Sequence, residues 1–297
     1  MLSSYKFLIK APFNKEYPVR ALLRFLVWKL IRLLKLQNLK VKFWNNRYFY
    51  INHDSFQSMW LMYNYIVDWE EFLFTHYYLR ENSIVFDIGA NMGFYTIWMS
   101  RSIGIQGQIH SFEPDTKNFN RLSQNISINQ FNGQFIPNND AVSKKNGKMK
   151  MTIGFDGENH LVDSNFGGSS SIINVVCLDD YCNQRNISRI DFIKIDVEGF
   201  ELDVLKGGIN LLTQKNVDVI QLELNRALIN SGTTQQEIIS FVDQIGYTFC
   251  IYDFKTNKLI PFIVNDEREN YFITNNLTNV NKILAENKLW KEDIMSL

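Results

Sequence analysis

The stretch Val85-Phe86-Asp87-Ile88-Gly89-Ala90-Asn91-Met92-Gly93-Phe94-Tyr95-Thr96 decides the fold. Its apolar lead-in, Ser83 to Phe86, predicts a short buried strand that ends at Asp87. The turn that follows carries Gly89 and Gly93, and Phe94 to Met99 then opens a helix. A strand entering a glycine-bearing turn and then a helix is the entry of a Rossmann-like nucleotide site. Glycine lets the backbone approach a ligand closely. The helix N-terminus offers unpaired N–H groups to an anionic part of it.

Downstream of this unit the pattern alternates. Candidate strands at 83–88, 108–112, 133–137, 191–197 and 218–224 have helical patterns at 94–102, 116–129, 200–212 and 234–245 between or after them. Such alternation predicts a parallel sheet covered on both faces. Extended segments at 148–153 and 171–177 interrupt the order. The last strands, 247–252 and 270–274, lack a clear crossover helix between them and read as an antiparallel pair at the sheet edge.

Upstream the chain is different in kind. Residues 1–18 read as irregular, with Pro12 and Pro18. Residues 19–36, VRALLRFLVWKLIRLLKL, predict an amphipathic helix with Arg20, Arg24, Lys29, Arg32 and Lys35 on about half the circumference and leucines on much of the rest. Residues 39–52 predict a hairpin turning at Asn45-Asn46, and 55–80 predict a helix. The expected organisation is an extension over 1–80, a main domain over 81–275 and a tail over 276–297. Formal net charge is zero, yet residues 1–47 hold eleven Lys and Arg against one acid. The basic helix has two readings: a core or oligomer contact with a solvated cationic face, or a helix lying on an anionic membrane surface. Cys177, Cys182 and Cys250 have no metal or disulfide spacing, and no cleavable signal pattern is visible. These features predict a reducing, cytoplasmic setting, peripheral to the inner membrane face if the helix binds lipid. No apolar stretch is long enough to span a bilayer.

The turn itself narrows the ligand. A dinucleotide fingerprint needs glycine at three places, but Asn91 and Phe94 stand at the second and third. The spacing D-x-G-x-x-x-G suits a ligand bearing an amine and a carboxylate, with Asp87 accepting from the amine. Glu113, after the second strand in Ser111-Phe112-Glu113-Pro114, is placed to bind both ribose hydroxyls. Asn139-Asp140-Ala141 follows the third strand, where a polar side chain meets an adenine edge. S-adenosylmethionine satisfies all three positions, with Asp87, Gly89, Asn91, Gly93, Glu113, Asp140 and Ala141 as its expected contacts.

Ile190-Asp191-Phe192-Ile193-Lys194-Ile195-Asp196-Val197-Glu198-Gly199 is unusual for a buried strand. Alternation puts Lys194, Asp196 and Glu198 on one face, and buried charges are costly unless paired or functional. The carboxyl end of a parallel strand is also where α/β sites form. Here the chain resembles the FkbM family of S-adenosylmethionine-dependent methyltransferases. VFDIGANMGFYT resembles that family's first motif and IDFIKIDVEGFELDVLKG its most distinctive one. SFEP, NDAVS and VVCLDDY occur in the family's order. The similarity covers roughly residues 80–275. Cys177 stands where the family often has threonine.

The resemblance implies a class I methyltransferase fold, α/β, with a seven-stranded mostly parallel sheet whose last strand is antiparallel. It also implies methyl transfer to a hydroxyl, often on a sugar or polyketide-type metabolite, and so a small-molecule or glycan acceptor. Nucleic acid is not the expected partner, because the basic charge sits on the N-terminal helix away from the predicted site and no aromatic-basic groove accompanies the catalytic motifs. An alcohol needs a base, and the candidates at the ends of the fourth and fifth strands are Lys194, Asp196, Glu198 and Glu223, with Asn225 beside them. His160 lies in a polar loop that is a candidate cover for the site. Asp196, Glu223 and Asn225 also resemble the ligand placement of catechol O-methyltransferase-like enzymes, which makes a Mg²⁺ site a further expectation. Two other readings compete: an NAD-type oxidoreductase, disfavoured by Asn91 and Phe94, and a non-catalytic binding module, disfavoured by the intact Asp87, Gly89, Gly93 and Glu113.

Overall fold

A computed structural model describes residues 14–15, 17–42, 47–64, 68–129, 133–155, 159–162, 166–265 and 267–287. The chain enters through helix α1 (Pro18–Leu33), with proline in its first turn, where a missing N–H costs nothing. Strands β1 (Leu39–Lys42) and β2 (Tyr48–Ile51) pair antiparallel as the expected hairpin, while its Asn45-Asn46 turn lies outside the described residues, as do residues 1–13 and 16 of the stretch 1–18 expected to be irregular, in which 14–15 are helical. Where one helix was expected over 55–80 there are two, α2 (Phe56–Asn64) and α3 (Trp69–Tyr78). Asp68, before α3, sits in the left-handed region at φ 48°, so the helical path cannot run straight into it.

The alternating part follows its sequence pattern closely: β3 (Ile84–Ile88), α4 (Phe94–Met99), β4 (Gln108–Phe112), α5 (Thr116–Ser127) and β5 (Gln134–Asn138). The interruption is a small sheet of β6 (Ala141–Val142), β7 (Gly147–Thr152), β8 (Leu161–Val162) and β9 (Ser170–Val176), in the order β6-β9-β7-β8. Then come α6 (Leu178–Arg185), β10 (Ile190–Ile195), α7 (Glu201–Gly207), α8 (Ile209–Thr213), β11 (Val217–Glu223), α9 (Gln235–Gln244), β12 (Thr248–Asp253), β13 (Lys258–Pro261), β14 (Asn270–Thr274) and α10 (Leu277–Glu286).

The main sheet runs β13-β12-β14-β11-β10-β3-β4-β5. Strand β3 is parallel to both β10 and β4, and β14 is antiparallel to both β11 and β12. This is the class I methyltransferase arrangement with one correction: β13 adds an eighth strand at the edge, antiparallel to β12. Asn257, buried beside this edge, donates to the carbonyl of Leu284 and so ties the hairpin turn to α10. Val280, Ile283 and Leu284 of α10 are buried in the core, in a stretch the sequence pattern left as tail.

Alternation along each strand builds two cores. Phe86, Ile193, Ile220 and Ile273 face α6 to α9. Val85, Phe192, Val219 and Phe272 face the other way, onto α3, α4 and α10. Trp28, Ile31, Phe49, Ile51 and Leu61, all from the N-terminal extension, belong to that second core. Two asparagines fix the extension in place. The Tyr50 N–H donates to Oδ1 of Asn125 at 2.7 Å, and the Asn125 amide donates to the Met92 carbonyl at 2.9 Å. Asn129 exchanges two hydrogen bonds with the backbone of Tyr48.

Helix α1 uses Ala21, Phe25, Trp28 and Ile31 as its buried face. Its leucines face solvent instead: Leu23 is 57% exposed and Leu33 78%. Asn125 is fully buried, so Asn125→Ala strands a backbone donor and a backbone acceptor. Each group left unpartnered costs about 1–3 kcal/mol, and urea denaturation of this variant is expected to show a loss of that order or larger.

Candidate active site

A cavity of about 1180 Å³ lies over the carboxyl ends of β3, β4, β10 and β11. Its floor is the turn after β3. Gly89, Asn91 and Gly93 have φ of 82°, 49° and 95°, so three positions within five residues are left-handed. Asparagine tolerates that conformation better than most residues, which makes Asn91 a workable substitute for glycine. Gly89 is constrained for a second reason: a Cβ there would lie 1.7 Å from the carbonyl oxygen of Asp196. The N–H groups of Gly89 and Ala90 donate to the Phe112 carbonyl, and that of Asp196 donates to Ile88. The turn is thus wedged between the ends of β4 and β10.

Glu113 is buried, and both its oxygens accept backbone N–H groups, from Asn91 at 2.7 Å and Asp115 at 2.8 Å. Burial pushes its carboxyl up to about 8, against the pull of those two N–H donors. The protonated carboxyl keeps one acceptor lone pair and its own O–H donor, a combination that suits a pair of ribose hydroxyls. The Asn139 side chain donates to the carbonyls of Glu113 and Pro114 and so joins the loops after β4 and β5. Asp140 and Ala141 line the cavity beyond it, with Ala141 buried at the start of β6.

The strand register sets a polar row across the sheet: Ser111 stands opposite Asp87, Asp87 opposite Lys194, and Lys194 opposite Gln221. Asp87 is fully buried, and burial pushes its carboxyl up; its Oδ2 accepts from Thr96 at 2.6 Å, while among the described residues its Oδ1 has no hydrogen-bond partner. Lys194, only 5% exposed, donates to Asp196 at 2.7 Å and lies 4.7 Å from the centre of the Tyr95 ring. Burial works against its charge, but Asp196 and Asp87 more than compensate and hold it protonated. Asp196 lies past the end of β10 with its side chain partly exposed. Burial raises its carboxyl, yet Lys194 and a hydrogen bond from Glu223 bring it below the usual range. The negative charge of Asp196, then burial, push Glu223 up, so that it keeps its proton at neutral pH.

The expected residues line the cavity except Gly93, where a Cβ would meet Leu122 of α5 at 2.6 Å rather than the cavity, and there are two further corrections. Strand β10 stops at Ile195, so alternation does not carry Glu198; it sits in a left-handed turn at φ 53° that still lines the cavity. The Mg²⁺ expectation finds no support. Asp196 and Glu223 already share a proton and the Lys194 cation, Asn225 donates to Glu223 and its oxygen caps Ala227, and a divalent ion would meet the lysine charge. Among the described residues no cluster of three or more His, Cys, Asp or Glu could hold a metal ion.

A profile of the methyltransferase FkbM domain matches residues 87–249, which take in the turn, Glu113 and the whole Lys194–Asp196–Glu223 cluster. The chain belongs to the FkbM methyltransferase family. It is 27% identical over 146 residues to the hexuronic acid methyltransferase AglP of Haloferax volcanii, a match covering 48% of this chain and 57% of that one. It is 28% identical over 150 residues to the 2-O-methyltransferase NoeI of Sinorhizobium fredii, covering 46% and 61%. The matched stretch thus spans about three-fifths of the length of these relatives. A solved S-adenosylmethionine-dependent O-methyltransferase from Thermotoga maritima aligns with 80% of this chain and 76% of its own at TM-score 0.40 and 12% identity. The family match leaves the oxidoreductase reading without support.

Several residues in or behind the wall of this FkbM-family site carried no sequence signal. Asp68 accepts a hydrogen bond from Tyr95 at 3.2 Å, and Gln221 donates to the same Tyr95 hydroxyl at 2.9 Å. Trp28, Arg32, His53 and Trp60 come from the extension, whose sequence resembles no motif. Asn159 and His160 line the cavity as expected of the covering loop, although residues 156–158 lie outside the described residues.

The Glu113 carboxyl gives a pH signature. Its ordinary value is 4.5, so between pH 4.5 and about 8 the unfolded chain has released this proton and the folded chain still holds it. Stability therefore falls as pH rises across that window, by at most about 1.4 kcal/mol per pH unit for this one group. Melting of the parent chain compared with Glu113→Gln is expected to show the difference shifting against the parent over that range and levelling off above it.

Proposed function

We propose that this protein transfers a methyl group from S-adenosylmethionine to a hydroxyl of a sugar or sugar-bearing small molecule. The observation that carries the reading is the Lys194–Asp196–Glu223 cluster, opening into the same cavity as the Gly89 turn and Glu113. The donor site fits its ligand at three points. Among the described residues Asp87 keeps a buried carboxyl oxygen without a hydrogen-bond partner, matched to an ammonium group. The left-handed turn at Gly89, Asn91 and Gly93 lets backbone reach the methionine portion. Glu113 has acceptor capacity for ribose hydroxyls, with Asp140 and Ala141 beyond it at the base. The sugar class of acceptor is supported by two relatives named for hexuronic acid and 2-O-methylation.

S-adenosylmethionine supplies an electrophilic methyl carbon for in-line displacement. What the chain contributes is position and a proton acceptor. Asp196 is the base: it is ionised, it reaches the cavity, and Lys194 fixes one of its oxygens. Glu223, holding its own proton, donates to Asp196 and orients it, and Asn225 fixes Glu223 in turn. The buried Lys194 charge keeps Asp196 a carboxylate and draws Asp87 down against the effect of burial. Glu198 and His160 contribute to the acceptor wall. Phe56 and Trp60 offer the aromatic faces on which sugars pack, and Arg32 adds a cation to the same cavity lining.

S-adenosylhomocysteine at about 100 times its Kd is expected to stabilise the chain by about 2.7 kcal/mol, read as a rise in melting temperature. Asp196→Asn should retain that rise and lose roughly 10²–10⁴-fold in the rate of labelled methyl transfer to a fractionated glycan extract. Equal transfer by Asp196→Asn removes the base assignment; no melting rise and no transfer by the parent chain removes the whole reading in favour of a binding module. Exhaustive EDTA treatment is expected to leave transfer intact, because Lys194 supplies the positive charge at Asp196.

A further inference from the structure

Helix α1 has two apolar faces, and the fold uses one of them. Ala21, Phe25, Trp28 and Ile31 pack into the core. On the opposite side Leu22, Leu23, Leu26, Val27, Leu30 and Leu33 are each at least 40% exposed. At about 100° per residue these exposed positions fall within roughly 140° of the circumference. Arg20 stands at one border of this face and Lys29 at the other. Soluble monomers rarely leave so many large aliphatic side chains contiguous in water.

We infer that this face lies on an anionic lipid surface, with its leucines in the interface and its cations against the headgroups. Charge chooses the occupant. Residues 17–42 contain seven Lys and Arg and no Asp or Glu; Arg24 and Arg32 turn inward, while Arg20 and Lys29 flank the exposed face with no acid to neutralise them in this stretch. A two-fold contact with a second copy would bring these like charges together, since an isologous interface presents the same patch from both sides. An anionic bilayer complements them and also accepts the apolar side chains. The helix lies on the bilayer and does not cross it: none among the described residues is long and apolar enough to span a membrane. Trp28 and Arg32, on the inner side of the same helix, line the cavity. Docking therefore puts the cavity within about one helix diameter, ~10 Å, of the lipid.

The inference goes beyond methyl transfer and is read without cofactor or acceptor, so either can fail alone. The full chain is mixed with vesicles of phosphatidylcholine alone, or of phosphatidylcholine with phosphatidylglycerol at two to one, and floated on a sucrose gradient. Flotation is expected with the anionic vesicles only, weakened by added salt and by Arg20→Glu with Lys29→Glu. Leu26→Gln with Leu30→Gln, both at exposed positions, should lower partitioning at least tenfold and leave the melting rise with S-adenosylhomocysteine unchanged. The inference is overturned if the parent chain stays at the bottom of the gradient with anionic vesicles, or if the leucine variant floats as well as the parent. It is equally overturned if sedimentation equilibrium finds a dimer that the leucine variant dissolves and that does not float.

Discussion

A lysine ammonium held almost entirely out of water at the centre of a parallel sheet has to be neutralised, and much of the site follows from how Lys194 meets that demand. Its two carboxylates come from different places in the sequence. Asp87 faces it across the β3–β10 register, and Asp196 lies two residues beyond it on the same strand. Breaking a buried pair by removing one partner typically costs about 3–5 kcal/mol. The lysine thus couples the cofactor turn to the proposed catalytic strand. The coupling is steric as well: the missing Cβ of Gly89 is the space into which the Asp196 carbonyl fits. One residue, Asp196, offers its backbone to the turn and its side chain to the cavity.

The same arrangement divides chemical roles among identical functional groups. Asp196 and Glu223 are both carboxyls in one hydrogen-bonded cluster, but Lys194 holds the first ionised, and the charge of the first keeps the second protonated. Two neighbouring carboxyls cannot both carry charge cheaply, so environment separates acceptor from orienting donor. Glu113, buried without a lysine, takes a third state, raised by desolvation and held by two backbone N–H groups.

The extension is a structural part of this site. Trp28, Phe49 and Leu61 share one core with Val85, Phe192 and Phe272 of the sheet, and Asn125 and Asn129 fasten the hairpin to α5. Asp68 of the extension reaches the polar row through Tyr95 of α4, whose hydroxyl donates to Asp68 and accepts from Gln221. The family domain builds the part of the cavity around the Gly89 turn and Glu113, and the extension lines the rest with Trp28, Arg32, His53 and Trp60 among others.

The alternating half of the chain was legible because periodicity and turn chemistry are local. Five parallel strands, the Gly89 turn, Glu113 and the Lys194–Asp196 pair could all be read from spacing, since a buried charge at the end of an apolar run has few explanations. What spacing could not carry was anything that depends on distant backbone. Alternation placed Glu198 with Lys194, but the strand ends at Ile195 to make room for the Asp196 contact with the turn, and Glu198 reaches the cavity from a left-handed turn instead. The leucines of α1 looked like its core face on a helical wheel; the core took Phe25, Trp28 and Ile31, because only contact with the sheet decides which of two apolar faces is buried. Asp68, Tyr95 and Gln221 meet from three elements and leave no mark in any one of them. The sequence alone therefore determined the sheet and the family-like donor motifs, whose physics lies within a few residues. Tertiary structure decided the protonation of Glu223, the lysine charge held against Asp196, and the cavity wall that the extension lines, because charge, burial and shape there are set by groups far apart in the chain.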